Sequence, residues 1–148
     1  MTAAPDFSLA TEEGGRFTRA ELIGQTTVLV FYPFAFSPVC TDQLNLYEEV
    51  LDEFAQRGAR LFGVSCDSIW TQRAFKEELG ITIPQLSDWE PKGATCRAFG
   101  VYHPSGFPQR ALVLTDPDGN IAWRYQAPSP EELPGANLIF DALDAGVE

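Results

Sequence analysis

Residues 26–40 read Thr26-Thr27-Val28-Leu29-Val30-Phe31-Tyr32-Pro33-Phe34-Ala35-Phe36-Ser37-Pro38-Val39-Cys40. The first nine are a nearly unbroken run of β-branched and aromatic side chains, the pattern of a strand covered on both faces of its sheet. Residues 26–34 are therefore predicted to form the central strand. After Pro38 the apolar residues change period: Leu44, Tyr47, Val50, Leu51 and Phe54 fall on one helical face, which runs to Gly58. A buried strand thus feeds a helix, and Cys40 sits in the first turn of that helix.

Residues 60–66 read as a second buried strand, followed by a helix over 68–79 for which Ser68 is the natural cap. Two strand-helix units in succession imply parallel pairing. Further on, 94–99 read as a short helix and 111–115 as a strand that enters the turn Asp116-Pro117-Asp118-Gly119. Pro at the second turn position and Gly at the fourth suit a type I turn, so 121–125 is the partner strand of a hairpin. Residues 138–143 lie on a closing helix. This order is that of a thioredoxin-like α/β fold, a mixed central sheet flanked by helices. A chain of 148 residues is expected to form a single domain over 1–148. The fold would bring residues 33–40 and Cys66 to one edge of the sheet, where open α/β folds bind ligands.

Composition excludes several functions. The formal net charge is −11, with only 10 Lys and Arg in no clustered basic face, so no nucleic acid is expected as a partner. The amino terminus, residues 1–15, has neither a basic leader nor an apolar export segment, and a cytoplasmic location is expected. The longest apolar run, 28–36, contains Pro33 and is too short to cross a bilayer, so no membrane association is expected. Three cysteines at irregular spacing and a single histidine, His103, make neither a disulfide framework nor a zinc site. No metal and no cofactor is expected. His103, beside Pro104, is expected in a surface loop.

What remains is thiol chemistry. A thiolate, not a thiol, is the nucleophile, and a helix amino terminus favours the anion because its first backbone amides lack intrahelical partners. That contribution is about 0.3–1 kcal/mol, whereas a cation about 4 Å away contributes about 4 kcal/mol at an effective dielectric of 20. An arginine near Cys40 is therefore required, and Arg110, which opens the strand expected beside the central one, is the candidate.

Pro33, Ser37 and Cys40 carry the spacing of Pro, three residues, Ser or Thr, two residues, Cys. With Tyr32, residues 63–68 (Gly-Val-Ser-Cys-Asp-Ser) and Arg110 ahead of a strand and an Asp-Pro-Asp-Gly turn, the chain resembles the peroxiredoxins over nearly its whole length. Leu86-Ser87-Asp88-Trp89 and residues 93–102 make it most similar to the alkyl hydroperoxide reductase E type, which uses one cysteine, and next to the bacterioferritin comigratory group. The resemblance implies that Cys40 is the peroxidatic thiolate, that Arg110 and the Ser37 hydroxyl stabilise it and orient the peroxide, and that Pro33 shields it from water. It also implies a homodimer, a hydroperoxide substrate and a thiol reductant, either a thioredoxin-like protein or a small thiol. Many relatives carry Glu three residues after the cysteine; this chain has Gln43, which can accept a hydrogen bond from Arg110 without pairing its charge.

Cys66 and Cys96 are candidate resolving cysteines, although a buried small apolar role suits both. The comigratory group often places its resolving cysteine five residues after the peroxidatic one, where this chain has Asn45, and the helix over 68–79 has none. Recycling of Cys40 by an external thiol is therefore expected. A disulfide oxidoreductase would need a second cysteine where Ser37 stands. The remaining alternative is a peroxide sensor or redox-regulated binding protein that uses Cys40 stoichiometrically.

Overall fold

The computed structural model describes residues 2–145; residues 1 and 146–148, the two ends of the expected domain, lie outside the described residues. The strands are β1 (Thr2–Ala3), β2 (Ser8–Thr11), β3 (Arg16–Thr18), β4 (Thr26–Phe31), β5 (Ala59–Ser65), β6 (Gln85–Ser87), β7 (Tyr102–His103), β8 (Phe107–Pro108), β9 (Ala111–Thr115) and β10 (Asn120–Gln126). The helices are α1 (Pro38–Glu49), α2 (Leu51–Gln56), α3 (Ile69–Leu79), α4 (Ala94–Ala98) and α5 (Ala136–Asp144). Eight strands form one mixed sheet in the order β1-β10-β9-β4-β5-β6-β2-β3, with β4, β5 and β6 parallel and β9 antiparallel to β4. This is a thioredoxin-like arrangement with β4 at its centre.

Side chains alternate across β4 and its extension, and that alternation divides the core. Val28, Val30 and Tyr32 face one layer with Leu112 and Leu114 of β9, where they meet Cys40, Leu44, Tyr47, Phe54, Phe75 and Ile139. Leu29 and Phe31 face the other with Ala111 and Val113, where they meet Leu9, Phe17, Val64, Cys66, Leu86, Cys96 and Phe99. Burying each of the larger apolar side chains contributes about 1.5–3 kcal/mol. Cys40 and the pair Cys66 and Cys96 thus lie in the layers on opposite faces of the sheet.

The central strand ends at Phe31, three residues short of the predicted end. Pro33 has no amide to continue the ladder, and the chain turns across residues 33–37 before α1 begins. The helix expected to run to Gly58 is broken at Val50, whose amide reaches back only three residues to the Tyr47 carbonyl. The redirected α2 brings the ring of Phe54 to 6.3 Å from that of Tyr47. Ser68 caps α3 as expected, its hydroxyl accepting from the Thr71 amide at 3.2 Å. The 116–119 turn closes through the Gly119 amide and the Asp116 carbonyl at 3.0 Å, with Gly119 at φ 81°. Strands β1, β2, β3, β6, β7 and β8 have no counterpart in the sequence reading. His103 is not a surface loop residue: it lies on β7, half-buried, its ring stacked 4.3 Å from that of Phe107.

Candidate active site

Cys40 is the third residue of α1, behind Ser37 as the capping residue and Pro38 as the first helical one. The helix closes its first bond from the Thr41 amide to the Ser37 carbonyl at 2.9 Å, so the amides of Val39 and Cys40 precede the ladder. Two side chains away from the helix complete the setting. Ala111 pairs with Phe31, so Arg110 enters the sheet beside Tyr32. From there its Nη2 donates to the Cys40 sulfur at 3.0 Å. Both residues are buried, Cys40 at 0% and Arg110 at 2% exposure.

The guanidinium is held from two further directions. Nε donates to the Pro130 carbonyl at 2.7 Å and Nη1 to Gln43 Oε1 at 2.6 Å. Gln43 is fixed in turn by Tyr47, whose hydroxyl accepts from Gln43 Nε2 at 3.1 Å and donates to the Pro134 carbonyl at 2.7 Å. Burial pushes the Tyr47 phenol up to about 12, so it remains a neutral donor near neutral pH. Gln43 thus supplies an acceptor where a carboxylate would also supply a negative charge. The Arg110 cation therefore faces the sulfur with no carboxylate of residue 43 paired to it.

A pocket of about 190 Å³ opens over this group, walled by Pro33, Ser37, Phe107, Pro130 and Glu131, with Arg110 in its lining. Pro33 and Ser37 therefore share a cavity with Arg110. The Ser37 hydroxyl, however, donates to the Phe34 carbonyl at 2.8 Å and not to Cys40. The segment between them is held by the Ala35 amide, which donates to Asp67 Oδ2 at 2.8 Å. Phe36 adopts φ 71°, in the left-handed region that costs a bulky residue about 1–3 kcal/mol and that persists where surrounding structure enforces it.

The sequence reading named Gln43 as an acceptor for Arg110 but missed the other parts that hold Arg110 in place. Tyr47 looked like one more core aromatic, and Pro130 and Pro134 contribute only carbonyl oxygens, which every residue has. The one signal was the density of prolines in 128–134, a segment unable to spend its backbone on a strand ladder.

Cys66 and Cys96 are free thiols like Cys40, and both are buried. They lie beneath the opposite face of the sheet, where their sulfurs and a carboxylate oxygen of Asp88 are all within 4.8 Å of one another. Spacing in the sequence gave no sign of this group.

Comparison with known proteins agrees with the geometry. The family model described as AhpC/TSA matches residues 1–124. The chain belongs to the AhpC/TSA family of peroxiredoxins, and in class it is a thiol-dependent peroxidase. It is 31% identical to alkyl hydroperoxide reductase E of Mycobacterium tuberculosis over 144 residues, covering 96% of this chain and 94% of that protein. Peroxiredoxin Q of Xanthomonas campestris superposes with a TM-score of 0.84 at 28% identity, over 96% of this chain and 92% of that one. AhpC of Enterococcus faecalis gives 0.86 at 26% identity, over 98% and 92%.

Proposed function

We propose that Cys40 is the peroxidatic residue of a hydroperoxide reductase whose oxidised form is recycled by an external thiol. The contact of Arg110 Nη2 with the Cys40 sulfur at 3.0 Å, inside a fully buried setting, is the observation that carries this reading. The Cys40 thiolate attacks the distal oxygen of ROOH. The O–O bond breaks, the leaving alkoxide takes a proton and departs as alcohol or water, and Cys40 is left as a sulfenic acid. Negative charge grows on the leaving oxygen, and a fixed cation such as Arg110 lowers the barrier by stabilising it. Pro33 and Ser37 wall the pocket through which the peroxide reaches the sulfur; in the reactive complex the Ser37 hydroxyl turns from the Phe34 carbonyl to the peroxide.

One external thiol then displaces hydroxide, which leaves as water, to form a mixed disulfide with Cys40, and a second releases the Cys40 thiol. A single domain carries the whole cycle, in the cytoplasm. The working form is a homodimer, which would cover the exposed aromatic rings of Phe34 and Phe36 beside the site. Among the described residues no helix is long and apolar enough to cross a membrane.

The test is a peroxide-consumption assay with a recycling dithiol, followed by mass analysis after one equivalent of peroxide without it. Many turnovers and a single added oxygen on Cys40 are expected. Consumption of about one equivalent per chain would leave a stoichiometric sensor instead, and sedimentation as a monomer at micromolar concentration would remove the dimer.

A further inference from the structure

Neither cysteine of the pair beneath the far face of the sheet has a role in the chemistry proposed for Cys40, and the pair has the makings of a reactive centre. Cys66 lies in the bend between β5 and α3, and Cys96 is the third residue of α4. Thirty residues apart in the chain, their sulfurs are brought within 4.8 Å. Asp88 fixes one side of the arrangement: its Oδ1 accepts from the Thr95 amide at 3.0 Å and its Oδ2 from the Cys96 amide at 2.8 Å. Those two bonds anchor the start of α4, and with it the Cys96 sulfur, against the end of β6. They also engage both carboxylate oxygens, so Asp88 is committed to the backbone of α4 while the two sulfurs face each other.

The two thiols are unequal. The Cys96 thiol, donating to Cys66, holds Cys66 below the usual thiol range against the effect of burial, with Lys92 assisting. Cys96 is pushed upward, first by that same donation and then by burial and the Asp88 charge. An inequality of this kind, between sulfurs within 4.8 Å of each other, prepares one to attack and leaves the other to follow. Cys66 retains 7% exposure, and a cleft of about 290 Å³ is lined by Ser68, Ser87 and Trp89, chain neighbours of Cys66 and Asp88.

We propose that Cys66 and Cys96 form a second redox site, a buried dithiol that a hydroperoxide converts to an intrachain disulfide without Cys40. The Cys66 thiolate attacks ROOH, the O–O bond breaks, and protonated ROH leaves a sulfenic acid at Cys66. The Cys96 sulfur then attacks Cys66, its proton leaves with the displaced hydroxide as water, and the S–S bond forms. Together two thiols and ROOH give one disulfide, ROH and water. Closure to about 2.05 Å requires the sulfurs to approach further, by rotation of the two side chains and a shift of the bend that carries Cys66 against the hydrogen bonds made by Asp67.

The experiment uses the Cys40→Ser chain, in which Cys66 and Cys96 are the remaining thiols, so its outcome is independent of the role of Cys40. The reduced, folded protein is treated with excess hydrogen peroxide, and thiols are counted after denaturation in parallel with intact mass. Loss of both thiols, a mass lower by two hydrogens and full recovery with dithiothreitol are expected. Adding Cys66→Ser or Cys96→Ser should abolish that mass change. Peptide mapping of the peroxide-treated parent should show Cys66 joined to Cys96, which keeps the test decisive if a variant folds poorly. Both thiols surviving in the native protein, oxygen added to one cysteine with no disulfide, a disulfide between chains, or a stoichiometric metal that blocks the pair would each overturn the proposal.

Discussion

The two faces of the sheet hold the same residue type in the same degree of concealment and prepare it differently. Below one face Cys40 is wholly buried against an arginine that three fixed acceptors, counting the sulfur, keep in place. Below the other, Cys66 and Cys96 are nearly as buried, but their neighbours are each other and a carboxylate already engaged by two backbone amides. Burial alone therefore says nothing about reactivity here. What separates the faces is what confronts the sulfur: a permanent cation for Cys40, a second thiol and a nearby carboxylate for the pair. The first arrangement suits rapid attack on a peroxide. The second suits a slow exchange that ends in a bond between the two sulfurs.

The sharpest way to break this comparison is to remove the thiol on the arginine side. Cys40→Ser is expected to abolish rapid catalytic peroxide consumption, leaving only the slow oxidation of the Cys66 and Cys96 pair, with the circular dichroism spectrum and melting temperature close to the parent, because a hydroxyl replaces a thiol at little change in volume. Turnover that survives at the parent's rate would assign the activity to the other face. Next in size is Arg110→Ala. Removing a preorganised donor from the developing charge costs about 2.7–4 kcal/mol, or roughly 10²–10³ in rate. Single-turnover kinetics of Cys40 oxidation should show that loss, with Arg110→Lys recovering only part of it, because an ammonium cannot reach the sulfur, Gln43 and the Pro130 carbonyl with one planar fork. A rate within error of the parent would mean that the contact is structural.

A smaller effect is expected from Tyr47→Phe, which touches neither sulfur nor peroxide. It leaves Gln43 Nε2 and the Pro134 carbonyl without their shared partner, at a cost of about 1–3 kcal/mol in stability. The loosened Gln43 lets Arg110 drift, and peroxide reduction should slow by roughly tenfold, equivalent to about 1.4 kcal/mol. Chemical denaturation and the single-turnover rate are measured on the same sample. A loss of stability with an unchanged rate would show that Gln43 holds Arg110 without help.

The difference between the faces also tracks what was legible in the sequence. Local pattern announces local structure: the β-branched run before Pro33, the helical period after Pro38 and the Asp-Pro-Asp-Gly turn each predict an element that the structure contains within a few residues. The cysteine at the head of α1 is legible for the same reason, since strand, turn, helix and thiol are contiguous. Arg110 was reachable because it opens a predicted strand whose place in the sheet follows from the fold. The meeting of Cys66 with Cys96 was not, because it depends on how the bend after β5 is seated against α4, thirty residues on, and no period or spacing encodes that. Short strands such as β2 and β6 escaped for a related reason. With three or four residues each, they are defined by the neighbours that complete their ladders more than by their own composition. Phe36 at φ 71° is a further case, since a left-handed phenylalanine contradicts local preference and is imposed by the turn around it.

The smallest expected effect is the one that tests whether the faces are independent. Cys66→Ser, Cys96→Ser and the double variant should sustain peroxide turnover with an external dithiol within about twofold of the parent, the roughly 0.3–0.5 kcal/mol within which distant, unshared sites add. The reason is positional. The central sheet lies between the core layer that contains Cys40 and the layer that contains the pair, so a disulfide from Cys40 to either would require α1 to unwind its first turn and the bend after β5 to leave its place. An external thiol does not need the bend after β5 to move. The measurement is steady-state turnover across a range of dithiol concentrations, with the intact mass of each variant after one equivalent of peroxide. Turnover that falls in one variant only, together with loss of a Cys40 disulfide that the parent forms, would join the two faces in a single two-cysteine cycle. Unchanged turnover in all three would leave Cys40 and its arginine sufficient for the peroxidase reaction.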